Sequence, residues 1–148
     1  MSDFATNKVA RRDYEILETL EAGLMLTGAE VKSARAGQMK LQGAYVAFPR
    51  AEAWLVGAHI PLYKPAGSRP DYQPDRSRKL LLHRRELAHL LGKQKEKGLT
   101  VVPLRLYTRH GKLKLEIGLG RGRKEFEKRE KIKRREAERE IRTVMKRR

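Results

Sequence analysis

The chain has 148 residues, one domain's worth at the usual size of about 100–150 residues. Its 35 Lys and Arg against 18 Asp and Glu give a formal net charge of +17 and a pI near 10.5, a balance that points to a polyanionic partner. The absence of cysteine excludes disulfides, thiolate metal sites and thiol nucleophiles. No run approaches the ~18 apolar residues of a membrane helix, and no apolar signal segment is visible at the start, so a soluble, cytoplasmic protein is expected.

Residues 13–20 carry Tyr14 and Ile16 on one side of a period-2 pattern, the mark of a strand. Glu21-Ala22-Gly23 reads as a turn, with 24–26 returning as a short strand. Residues 29–36 form two turns of predicted helix between Gly28 and Gly37, with Lys32 and Arg35 spaced i, i+3. Two apolar runs, 44–49 and 53–60, are joined by Pro49-Arg50-Ala51-Glu52, a hairpin signal. Residues 64–77, rich in Pro, Gly, Ser and Arg, read as a long irregular loop. A short apolar run at 80–82 precedes an amphipathic helix over 83–97, with Leu87, Leu90 and Leu91 at i, i+3, i+4 and Gly98 as its stop. Strands over 100–107 and 112–119 alternate: Leu104 and Leu106 share one face, as do Leu113, Leu115 and Ile117, with His110-Gly111 at the tip.

About six short strands and two inserted helices predict a mainly β chain. Antiparallel strands avoid exposed edges by closing, so a small, partly open barrel of the oligonucleotide-binding (OB) type is favoured over a split α+β sandwich. The predicted division is a β-barrel domain over residues 1–120 and a basic C-terminal tail over 121–148.

The segment 119–148 holds 14 Lys and Arg and 6 Glu, about +8 in net charge. Its few apolar residues after Gly122, among them Phe126, Ile132, Ile141 and Met145, cannot offset a backbone ordering cost of about 1–2 kcal/mol per residue. Four Glu-to-basic pairs at i, i+4 (Glu125–Arg129, Glu127–Lys131, Glu130–Arg134, Glu138–Arg142) nonetheless favour helix. The expectation is a tail disordered when free and helical against a polyanion.

No catalytic constellation emerges. His83 and His89 lie six apart, about 120° around a helix, and Arg84 and Arg85 oppose a cation between them; no metal or other cofactor is expected. Gly118-Leu119-Gly120-Arg121-Gly122 lacks the rest of a dinucleotide fingerprint and reads as a flexible joint between barrel and tail. There is no nucleophile elbow and no acidic cluster for two-metal chemistry. What remains is a basic surface interleaved with aromatics. Tyr14, Tyr45, Tyr63, Tyr72 and Tyr107 suit half-buried barrel positions, whereas Phe126, between Lys124 and Lys128-Arg129, suits stacking on an unpaired base.

Several strings occur in order: Asn7-Lys8-Val9-Ala10-Arg11-Arg12-Asp13-Tyr14, Glu21-Ala22-Gly23, Gly28-Ala29-Glu30-Val31-Lys32-Ser33-Ala34-Arg35-Ala36-Gly37, Arg78-Lys79-Leu80-Leu81-Leu82-His83, Lys97-Gly98-Leu99-Thr100 and Arg121-Gly122-Arg123-Lys124. Together they closely resemble the SsrA-binding protein (small protein B) family, from about Asn7 to the C-terminus. The resemblance implies an OB-type barrel that binds the tRNA-like domain of transfer-messenger RNA (tmRNA) and delivers it to stalled ribosomes for trans-translation. Carried over by position, it implies an RNA-binding face of Glu21, Lys32, Arg35, Leu81 and Lys114, helped by Asn7, Lys8, Arg11 and Lys79. The same strings bring in Tyr14, Ser33, Arg121, Arg123 and Lys124. The family's Asp-Lys-Arg tail motif matches Glu127-Lys128-Arg129, and the resemblance implies that the tail lies along the empty mRNA channel. There Phe126 would stack on a base of the 16S rRNA decoding centre, with Ile141 and Met145 also contacting the ribosome. Ribosome and tmRNA are the implied partners, a membrane is not, and a monomer is expected. Three departures stand out: Ala29 where the family commonly has Thr, which removes a possible capping hydroxyl, Arg12 for His, and Glu127 for Asp. A ribosomal structural protein would share the basicity and the tail; a membrane-surface protein would need a larger apolar face on the tail.

Overall fold

The longest alternating stretches form the longest strands. In the computed structural model, which describes residues 3–67, 69–123 and 139, β1 (Ala5–Thr6) and α1 (Ala10–Asp13) precede β2 (Tyr14–Leu24) and α2 (Gly28–Arg35). Then come β3 (Tyr45–Ala47), β4 (Trp54–Val56), β5 (Arg78–Leu81), α3 (Arg84–Lys93), β6 (Leu99–Arg109) and β7 (Lys112–Gly122). The sheet order is β1-β6-β3-β4-β5-β2-β7, and β6 also pairs with β7. Six strands therefore close a ring, β6-β3-β4-β5-β2-β7, with β1 added to β6 beside β3. Every pairing is antiparallel. This is the expected small, mainly β barrel with inserted helices, and closure disposes of most exposed edges. Among the described residues no helix is long and apolar enough to cross a membrane.

Two strands change which face they bury. In β2, Tyr14 and Ile16 pack on a small outer cluster with Ala10, Val102 and Leu104, whereas Leu20, Ala22 and Leu24 join the barrel core. These residues share one parity, so an unbroken strand would put them on one side. A register shift against β7 between Ile16 and Glu18 resolves the conflict and leaves Leu17 44% exposed. In β6 the same device sits between Pro103 and Arg105. Leu104 goes to the outer cluster and Leu106 to the barrel core, so the single face predicted for the two leucines is split. β7 itself keeps its phase, with Leu115, Ile117 and Leu119 all in the core.

That geometry corrects the reading of Gly118–Gly122 as a flexible joint. The segment belongs to β7, between β2 and β6, and Gly118 and Gly120 are buried. A Cβ on Gly118 would lie 3.0 Å from Leu104 Cδ1 and 3.1 Å from Ile16 Cγ2, and one on Gly120 would lie 3.0 Å from Tyr14 Cβ. The glycines form the floor on which the outer cluster rests. The turn predicted at Glu21-Ala22-Gly23 is also absent: all three continue β2, opposite Glu116, Leu115 and Lys114. Gly23 is needed for close approach, since its Cβ would lie 3.3 Å from Leu81 Cβ on β5. α3 stops at Lys93, short of the predicted 97, because the apolar stripe ends at Leu91 and the chain turns through Glu96 and a left-handed Gly98 into β6. The β6–β7 tip is as expected, with His110 (φ 52°) and Gly111 (φ 76°) both left-handed, as a tight hairpin turn requires.

α2 begins at Thr27, which makes Ala29 irrelevant to capping. Thr27 Oγ1 accepts from the Glu30 backbone N–H at 3.2 Å, and Glu30 Oε1 accepts from the Thr27 N–H at 3.0 Å. The same carboxylate is fully buried, with Oε2 accepting from Arg78 Nε (3.0 Å) and Nη2 (2.7 Å) and Oε1 also accepting from Arg76. Arg78, with no exposed surface, donates its Nη1 to the Ala58 carbonyl at 3.0 Å. Burial by itself would raise the Glu30 carboxyl, but the Thr27 N–H and the two arginines outweigh it and hold the group below its ordinary range.

Glu30→Ala would strand the Arg78 guanidinium in the core; we expect a loss of about 3–5 kcal/mol, read as a lowered urea midpoint at unchanged m-value. Because the Glu30 carboxyl is depressed in the folded protein, its contribution is complete above about pH 4–5, where the unfolded carboxylate is ionised, and is lost as pH falls further through the native value. Wild type should therefore lose stability with acid more steeply than Glu30→Gln. Gly120→Val should cost about 1–3 kcal/mol by overpacking, since Tyr14 Cβ is fixed to the β2 backbone and cannot rotate away; thermal melts check it.

Candidate nucleic-acid interface

Inward placement of Leu115 and Ile117 turns Lys114 and Glu116 outward from β7. Glu116 stands opposite Glu21 on β2 and Arg105 on β6, and Lys114 stands opposite Gly23 and Tyr107. Glu21, Lys114, Glu116, Arg105 and Tyr107 thus share one outer face, and Arg109 extends it. Two carboxylates facing each other across a ladder repel, and the β6 side chains offset this. Tyr107 Oη donates to Glu21 Oε1 at 2.6 Å, and Arg109 Nε reaches the same oxygen at 3.2 Å. Arg105 lies 4.1 Å over the centre of the Tyr107 ring and bridges Asp3 (3.0 Å) and Glu116 (3.4 Å). Burial, and then the bond to Glu21, push the Tyr107 hydroxyl up to about 12, so it stays protonated and donating at neutral pH. A carboxylate can accept about four hydrogen bonds; Glu21 is thereby oriented with capacity left for outside donors.

Neighbouring elements widen this platform. Leu81 on β5, 52% exposed, lies over Gly23. Arg35 Nη2 donates to the Gly111 carbonyl at 2.8 Å and ties the end of α2 to the β6–β7 tip. Lys32 on α2 sits 5.9 Å over the Tyr63 ring. Lys79, outward on β5, pairs with Glu52 at 2.6 Å. Arg11 on α1 reaches Glu116 at 3.9 Å and Lys8 is exposed beside it.

The other predicted residues fall elsewhere. Asn7 is buried: Nδ2 donates to the Pro103 carbonyl at 2.9 Å and the Leu41 carbonyl at 3.4 Å, while Oδ1 has no partner among the described residues. Ser33 is buried too, with Oγ donating to the Pro61 carbonyl at 2.7 Å. Tyr14 packs on the outer cluster. Arg121 is exposed at the far end of β7, and the Arg123 N–H donates to the Asp13 carbonyl at 2.8 Å. Lys124, Phe126, Glu127, Lys128, Arg129, Ile141 and Met145, and with them the disorder-to-helix expectation, lie outside the described residues.

Sequence reading missed Arg105, Tyr107 and Arg109 as members of the platform. The signal was present in their odd spacing, which alternates with inward Leu106. Among the described residues no group of three or more His, Asp or Glu is placed to hold a metal ion.

A family model described as "SmpB protein" matches residues 4–147. Among curated relatives, the SsrA-binding protein of Roseiflexus castenholzii is 52% identical over 144 residues, covering 97% of this chain and 91% of its own. That of Nostoc punctiforme is 50% identical over 142 residues, 96% of this chain and 92% of its own. A solved structure described as "tmRNA-SmpB: a journey to the center of the bacterial ribosome" superposes with a TM-score of 0.67 at 49% identity, over 81% of this chain and 84% of that one. The strings that resembled the family, the closed barrel and the near-complete coverage agree: the chain belongs to the SmpB, or SsrA-binding protein, family.

Proposed function

We propose that this chain is a non-catalytic RNA-binding adaptor: it binds the tRNA-like domain of tmRNA and delivers it to stalled ribosomes in trans-translation. The observation that carries this reading, beside family membership, is the outer platform in which Glu21 is held as an oriented acceptor by Tyr107 and Arg109, with Lys114 beside it. Phosphate contacts from Lys114, Lys32, Arg35 and Arg11 supply salt-dependent affinity. They carry no shape information, whereas an aimed carboxylate accepts only from base or ribose donors in the right place. Leu81 adds apolar area against which an unstacked base can lie.

The barrel recognises the tRNA-shaped domain, and the basic tail reads the empty mRNA channel and decoding centre, with Phe126 and Glu127-Lys128-Arg129 as its contacts. Asn7 and Ser33 act through the fold, one fixing the N-terminal segment to β6 and the other seating α2 on the loop at Pro61. The protein works in the cytoplasm, as a monomer, without a cofactor.

Gel-shift titrations with tRNA-like-domain RNA at fixed salt test the division of labour. Ending the chain after Arg123, which keeps β7 and its bond to Asp13, should leave RNA binding within about twofold and abolish ribosome rescue. Glu21→Ala and Lys114→Glu should weaken RNA binding about 10- to 100-fold, as expected for losing hydrogen bonds to charged groups. Lys114→Glu should also flatten the salt dependence. Tyr107→Phe, which removes only the hydroxyl that aims Glu21, should cost several-fold in affinity while the protein stays folded, with at most a small fall in melting temperature. Unchanged affinity in Glu21→Ala and Lys114→Glu would remove the platform from the RNA site.

A further inference from the structure

The platform does not stop at Leu81. On β5, Arg78 and Leu80 point inward, which turns Lys79 and Leu81 outward about 7 Å apart along the strand. Trp54 on β4 faces Lys79 across the ladder and is outward as well, since Leu55 beside it is fully buried. Beyond the end of β2, the Met25 backbone N–H donates to the Lys79 carbonyl at 3.0 Å, and the Met25 side chain is 53% exposed. Leu24, Met25, Leu26 and Trp54 with Lys79 and Arg76 line a groove of about 590 Å³. Its apolar lining includes the only tryptophan of the chain.

Resting on the adaptor reading above, we propose that this groove is a second RNA subsite that takes one unpaired nucleobase of the tRNA-like domain against Trp54, with the adjoining phosphate at Lys79. Three observations favour a nucleotide over an apolar peptide. The groove is continuous with the platform through Leu81 and Lys79. Its rim carries two cations, one of which, Lys79, is held at the edge by the exposed Glu52 and can exchange that partner for a phosphate. A half-buried indole lining the groove next to a lysine, in a chain of net charge +17, combines the stacking surface and the positive charge that single-stranded bases require. The methionine adapts its shape to whichever base enters.

Trp54 is its own probe, because no other tryptophan contributes emission. Titrating the full chain with tRNA-like-domain RNA should quench Trp54 fluorescence saturably, with the same midpoint as the gel shift. Trp54→Leu should weaken binding about 5- to 100-fold, the range seen for removing a base–aromatic stack, whereas Trp54→Phe should stay within about threefold of wild type. Met25→Glu, at an exposed position that leaves the core untouched, should weaken binding at an unchanged melting temperature. Emission that does not respond to bound RNA, or that responds instead to raised protein concentration as a second copy occupies the groove, overturns the inference. So does RNA binding that Lys114→Glu weakens while Trp54→Leu and Met25→Glu leave it unchanged; the adaptor reading survives both results. Failure of the unsubstituted protein to bind this RNA would overturn the adaptor reading itself.

Discussion

The architecture hangs on one buried ion pair. Among the described residues, Glu30 and Arg78 are the charged groups taken wholly out of water, and between them they fasten α2, the loop at Ala58 and the start of β5. A charge in that position is tolerated only when every lone pair and proton is matched. Here Thr27, Arg76 and the Ala58 carbonyl complete the set. Everything that faces RNA in our reading is reached from this point. The α2 backbone that holds Glu30 also carries Lys32 and Arg35, and the β5 backbone that holds Arg78 continues to Lys79 and Leu81. The pair therefore sets the spacing between two cationic elements that share no other direct bond.

The second organising device is the pair of register shifts in β2 and β6. A barrel this small has one interior, yet the N-terminal segment also needs apolar surface to hold it. Letting β2 and β6 switch faces against an in-phase β7 creates a second, external cluster for Ala10, Tyr14 and Leu104. The switch simultaneously places Glu21 on β2 and Arg105 and Tyr107 on β6 outward at the far end. Packing at one end and polar display at the other are thus two results of the same local irregularity.

Much of this was legible in the residues. The alternation over 112–119, the two-residue tip at His110-Gly111 and the Leu87, Leu90, Leu91 stripe translate directly into β7, its hairpin and α3. The failures share a cause: each depends on a partner remote in sequence. Gly23 looks like a turn until Leu81 is laid across it, and Gly118 and Gly120 look like slack until Tyr14, Ile16 and Leu104 press on them. The burial of Arg78 and Glu30 went unread because nothing within either local stretch announces that the other, 48 positions away, will cancel it. Glu21 is similar, since only the β6 neighbours Tyr107 and Arg109 turn a carboxylate on a basic surface from a liability into an aimed acceptor.

The length of β7 has a mechanical meaning. Lys114 sits near its start, and the chain leaves the barrel at Arg123, nine positions further on, where the backbone is pinned to Asp13. At about 3.3 Å per residue those nine steps span roughly 30 Å, braced on both flanks by hydrogen-bonded neighbours for most of the way. A stiff spar of that kind fixes how far Lys114 stands from Arg123, so, under the proposed division of labour, the reach between barrel and tail contacts is written into the count of residues in a single strand.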